Sequence, residues 1–175
     1  MLRPVALALA FALPLSLTAA AQPAEEAQLP SVGTDVWAAE RLSAGAPPGI
    51  NGAIAQIRAP RGEGRFAVIC ERGDARGMVA FRPPTEARPA LREAGDALRV
   101  RFQFDNGENI IRNLEWNEAG RYWTGAFGTN SELAEQMRRR MSVTVNVLDH
   151  PGVETEFTLI GSFRAIDAMF AMCRI

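Results

Sequence analysis

Between Ala97 and Asp105 the chain alternates without a break, with Leu98, Val100, Phe102 and Phe104 on one side and Arg99, Arg101, Gln103 and Asp105 on the other. Side chains of a strand point to its two faces in turn, so this segment is a strand with one buried face and one wet face. Asp105-Asn106-Gly107 follows at once. Asn and Gly accept positive φ, which marks a hairpin turn, and Asn109–Trp116 reads as the return strand. This hairpin commits the chain to an antiparallel, mainly β architecture.

Other segments extend the pattern. Ala53–Ala59 reads as a strand, and Arg65–Glu71 as another with Phe66, Val68 and Cys70 on one face. Met78–Phe81 is a short third strand of the same meander. Arg82–Glu93, with Pro83, Pro84 and Pro89, reads as a loop. Arg121–Phe127, Ser142–Asp149 and Val153–Ile160 complete a count of about eight strands. Asp35–Ala44, carrying Trp37 and Leu42, reads as a short turn-like or helical piece.

Two helices are expected. Thr129-Asn130-Ser131-Glu132 has the form of a capping box, and a helix is expected from about Ser131 to Met141 with Leu133, Met137 and Met141 inward. Gly161-Ser162 leads into a final helix, Phe163–Arg174, whose inner stripe is Phe163, Ile166, Phe170 and Cys173. The natural packing is an antiparallel β-sandwich or partly closed barrel, with the helices covering one edge or end.

The amino terminus has a different character. Met1-Leu2-Arg3, an apolar run from Val5 to Leu17 and Thr18-Ala19-Ala20-Ala21 form a signal peptide, residues 1–21, with cleavage after Ala21. The run is shorter than the roughly 20 apolar residues of a membrane span, and no second long apolar segment follows. Residues 22–34 are rich in Ala, Pro, Glu and Gln and read as a flexible leader, and residues 35–175 as one domain. The expected location is the periplasm or the exterior. In such a compartment the two cysteines, Cys70 and Cys173, imply one bridge from the last helix to a strand. Two free thiols or an intermolecular bridge are the alternatives.

Composition narrows the chemistry. All nineteen basic residues are Arg, against twenty acidic residues. A lysine Schiff base, a Walker-type phosphate loop and a Ser–Lys dyad are therefore excluded. The near balance of charge does not point to nucleic acid. His150, the single histidine, lies in Asp149-His150-Pro151-Gly152 and reads as a turn residue, and no G-x-S-x-G elbow occurs. Asp149, His150, Glu154 and Glu156 lack the Cys and His spacing of a zinc site, and Asp105–Glu108 lacks the register of a calcium loop. Arg72-Gly73-Asp74, a tripeptide read by some adhesion receptors, is taken as a surface turn. No catalytic residue, cofactor or metal is expected. The candidate recognition surface is Arg99 and Arg101 with the aromatics Trp116 and Trp123.

One ordered set of features is familiar. It comprises a signal peptide, an early Trp37, Phe66-Ala67-Val68-Ile69-Cys70, and Arg101-Phe102-Gln103-Phe104-Asp105-Asn106-Gly107. A strand ending at Trp116, a short helix before Val143-Thr144-Val145-Asn146-Val147, and Phe157–Ile166 leading to Cys173 follow. From Trp37 to Cys173 this resembles the periplasmic accessory proteins associated with type VI secretion. Gly161-Ser162-Phe163-Arg164-Ala165 is also similar to the closing segment of invasion-associated locus B proteins. The resemblance implies a non-enzymatic periplasmic adaptor whose partners are envelope proteins. A secreted invasion-associated-like factor and a small envelope hydrolase are the alternative expectations.

Overall fold

The computed structural model describes residues 36–42, 51–61, 64–73 and 76–174. The expected signal peptide and leader lie outside them. Nine strands form one antiparallel sheet: β1 (Ala38–Leu42), β2 (Gly52–Arg58), β3 (Arg65–Glu71), β4 (Gly77–Arg82), β5 (Ala97–Phe104), β6 (Asn109–Asn117), β7 (Tyr122–Phe127), β8 (Ser142–Val147) and β9 (Glu154–Thr158). Their spatial order is β1-β2-β3-β4-β7-β6-β5-β8-β9. Among the described residues a 3-10 turn, Thr85–Ala87, and three α-helices accompany them: α1 (Arg88–Ala94), α2 (Glu132–Arg139) and α3 (Ser162–Cys173).

The sheet curls on itself. Phe66 of β3 lies 5.7 Å from Phe102 of β5 and 5.5 Å from Phe157 of β9, ring centre to ring centre. Residues from both halves of the sheet therefore meet in one core, and β9 comes round to β2. The Trp37 indole N–H, just before β1, donates to the Thr158 carbonyl of β9 at 2.8 Å. This is the partly closed barrel of the two expected forms. α3 covers the opening, packing on β1, β2 and β3.

The alternating segment behaves as its pattern requires: Leu98, Val100, Phe102 and Phe104 are buried. Its hairpin turn places only Gly107 at positive φ (84°), while Asn106 does not need it. The Gly107 N–H donates to the Phe104 carbonyl at 2.9 Å, and the Phe104 N–H to Glu108 at 2.9 Å. Asp105 accepts from the Met141 N–H at 2.8 Å, and Glu108 accepts from Gln136. The acidic turn thus tethers the end of α2.

Cys70 and Cys173 form the expected disulfide, with Cα atoms 6.3 Å apart, and both are buried. Beside it the Gly73 N–H donates to the Cys173 carbonyl at 3.1 Å. The bridge pins the end of α3 to β3. Ser162 pins its start, donating through Oγ to the buried Met137 carbonyl at 2.8 Å.

Four local expectations change. Ala38–Leu42 is a strand, because full pairing with β2 outweighs its weak pattern. Within the supposed loop Arg82–Glu93, α1 forms with its proline in the first turn, where a missing N–H costs nothing. The cap of α2 is Ser131, whose Oγ accepts from the Ala134 N–H at 3.3 Å, rather than Thr129. Met141 and Phe163 are exposed: Met141 lies past the end of α2, and Phe163 sits on the outer side of α3 under the Arg138 guanidinium.

Candidate binding site

The four residues expected to share a recognition surface do not share a face. Leu114 of β6 pairs with core-facing Leu98 of β5, so Trp116, two residues along, points to the same inner face. Trp123 pairs directly with Trp116 and is fully buried. Arg99 and Arg101 alternate with the core residues of β5 and point outward, with Asn113 and Ile111 as cross-strand neighbours. Trp116 is half-buried.

Around Trp116 the fold builds a different site. An open cleft of about 390 Å³ is lined by Arg82, Arg88, Pro89, Arg92, Trp116, Glu118 and Arg121. Arg82 ends β4, and Arg88 and Arg92 stand one turn apart on α1. Trp116 lies near the end of β6, and Glu118 and Arg121 belong to the β6–β7 turn. The lining thus carries four arginines and the carboxylate of Glu118.

The geometry is braced from below. The Trp116 and Trp123 ring centres are 4.5 Å apart, so a core residue supports the cleft floor. The Arg92 guanidinium lies 4.3 Å from the centre of the Trp116 ring, a cation–π contact. Arg92 also bridges Asp96 at 2.6 Å and reaches Glu118 at 3.9 Å. The Trp116 indole N–H donates to Glu118. Arg88 is oriented through its Nε, which donates to the Pro83 carbonyl at 3.0 Å.

The turn that carries Glu118 and Arg121 is tightly folded. Asn117 accepts from the Gly120 N–H through its side chain and from the Arg121 N–H through its carbonyl, both at 2.8 Å. A Cβ at position 120 would lie 2.1 Å from the Tyr122 ring, so glycine is required. Arg121 has φ 54° and is the one non-glycine residue at positive φ among the described residues. An L-residue held there costs roughly 1–2 kcal/mol.

Tyr122, the next residue, lies on the outer face of the sheet in a small apolar cluster with Leu42, Ile54, Ala67, Ile69 and Ala80. Burial pushes its phenol well above the ordinary value of 10.0, and the Glu71 carboxylate adds to the shift. A second cleft of about 440 Å³ on the outer face is lined by residues that include Glu71, Arg76, Asn113 and Glu115. Its charges are mixed.

The remaining candidates are scattered. His150 sits in the β8–β9 turn, where its N–H donates to Val147 at 3.2 Å and its carbonyl accepts from Val153 at 3.1 Å. Glu154 and Glu156 are exposed and flank buried Thr155. No three His, Cys, Asp or Glu side chains among the described residues are grouped to hold a metal ion. No helix among them is long and apolar enough to cross a membrane. Asp74 of the Arg72-Gly73-Asp74 tripeptide lies outside the described residues.

Compared with known protein families, curated proteins and solved structures, the chain matches none.

Proposed function

We propose that this chain is an exported, non-enzymatic binding module that acts as an adaptor through protein contacts in the cell envelope. The observation that carries the reading is the cationic cleft around Trp116, a half-buried aromatic supported by the core and ringed by guanidinium groups. Tryptophan and arginine are the residues that most often dominate protein interfaces. The intramolecular disulfide is consistent with export, because such bonds persist in oxidising compartments. The resemblance to type VI secretion accessory proteins names the assembly to look for first.

Cross-linking of the tagged protein in its native periplasm, followed by capture, tests the reading. The expected result is stoichiometric recovery of one envelope protein, with the chain in the periplasmic fraction. Recovery of the chain alone from the periplasm contradicts an adaptor. Release into the medium favours the secreted, invasion-associated-like alternative.

A further inference from the structure

We infer that the Trp116 cleft recognises a carboxylate-rich, acidic peptide segment of a partner protein, a reading that rests on the adaptor role proposed above. Three features converge on it.

The first is charge. The cleft lining holds four arginines and one carboxylate, Glu118, with Asp96 bridging Arg92 from outside the lining, in a chain whose overall charge is slightly negative. The basic groups are concentrated here against the trend of the whole molecule. Guanidinium groups match carboxylates through paired N–H donors.

The second is Glu118 itself. Its side chain is 82% exposed, yet its carboxylate is held by the Trp116 indole N–H and lies 3.9 Å from Arg92. A peptide carboxylate already rests on the donors that an incoming acidic side chain would use. Glu118 is therefore an internal stand-in: it marks the chemistry of the site and competes for it.

The third is Arg121. Glycine would relieve the backbone at this position, but an arginine stands there and lines the cleft. Strain of this kind is typically retained where a side chain has work to do. The strained turn puts a fourth cation on the cleft wall.

An indole N–H titration by NMR of the purified, oxidised full chain tests the proposal. The probe is tetraglutamate at low ionic strength, with tetralysine and inorganic phosphate as comparators. The Trp116 indole signal is expected to move with tetraglutamate and with neither comparator. The Trp37 signal, tied to Thr158, serves as the unmoved control. Arg121→Gly should weaken tetraglutamate binding roughly two- to fivefold, and Glu118→Gln should tighten it by a similar factor, the size of partly exposed ion pairs. Added salt should erase both differences.

A Trp116 signal that ignores tetraglutamate overturns the proposal. So does an equal response to phosphate, which would make the cleft a general anion site, or wild-type titration by both variants. The same Arg121→Gly chain in the periplasmic capture separates this failure from that of the adaptor reading. Equal recovery of the partner by wild type and variant leaves the adaptor standing and removes the cleft from it. Recovery by neither removes the adaptor reading, and the acidic-peptide inference falls with it.

Discussion

Arg121 and Tyr122 are neighbours with opposite problems. Arg121 is strained but exposed, so Arg121→Gly should raise stability by roughly 0.5–1 kcal/mol, the relief of left-handed strain less the added freedom of the unfolded chain. Thermal unfolding checks this, and a lower Tm in the variant would contradict it. Tyr122 has a buried hydroxyl without a hydrogen-bond partner among the described residues. Its folded pKa is raised above the unfolded value of about 10. The folded state therefore holds this proton more tightly, and the stabilisation it gives is complete below pH 10 and is lost as pH rises further. Tyr122→Phe should leave stability at pH 7 unchanged or slightly higher and flatten its decline between about pH 10 and 11. Urea unfolding across that range is the measurement, and parallel declines in both proteins would contradict it. Positive φ at Arg121 has no signature of its own in the sequence, and nothing in the sequence marks the Tyr122 hydroxyl as buried.

Elements were legible where periodicity was strict. β5 shows every inward residue by alternation, whereas β3 is an apolar run buried on both faces, and the disulfide follows from the sequence's two cysteines. α1 was hidden because Pro83, Pro84 and Pro89 together suggest a loop, although Pro83 and Pro84 precede the helix and Pro89 stands in the one turn that tolerates it. That omission hid the site as well. Arg88 and Arg92 share a helix face only once α1 is recognised, and Arg82, Trp116 and Arg121 join them only because β4, β7 and β6 are adjacent. Arg99 and Arg101 alternate with the core residues of β5 and stand on its outer face, away from the cleft lining. At α2 the Ser131 cap makes a direct prediction. Ser131→Ala should cost about 1 kcal/mol. Because α2 holds the start of α3 through Ser162, amide exchange should quicken in both helices while β5 stays protected. Exchange confined to the first turn of α2 would contradict that coupling.

The described residues form one curled sheet whose opening is covered by α3, and α3 is held at both ends by Ser162 and by the Cys70–Cys173 bond. The bridge spans 103 residues, a loop long enough to contribute up to roughly 4–5 kcal/mol in a chain-entropy treatment. Cys70→Ala should accordingly lower Tm by roughly 8–15 °C, and a reducing agent should bring the wild type down to a similar value. An unchanged Tm would show that packing alone holds α3. The bridge joins α3 to β3, while the Trp116 cleft is built from α1, the end of β4, the end of β6 and the β6–β7 turn.

The central claim is that this cleft is where a partner protein docks. A photoreactive residue placed at position 118 tests it most directly, with one at position 99 on the outer face of β5 as control, each in the full chain in living cells. The account predicts a discrete adduct with an envelope protein from position 118 and none from position 99. Adducts from position 99 alone, or from neither position, would contradict it.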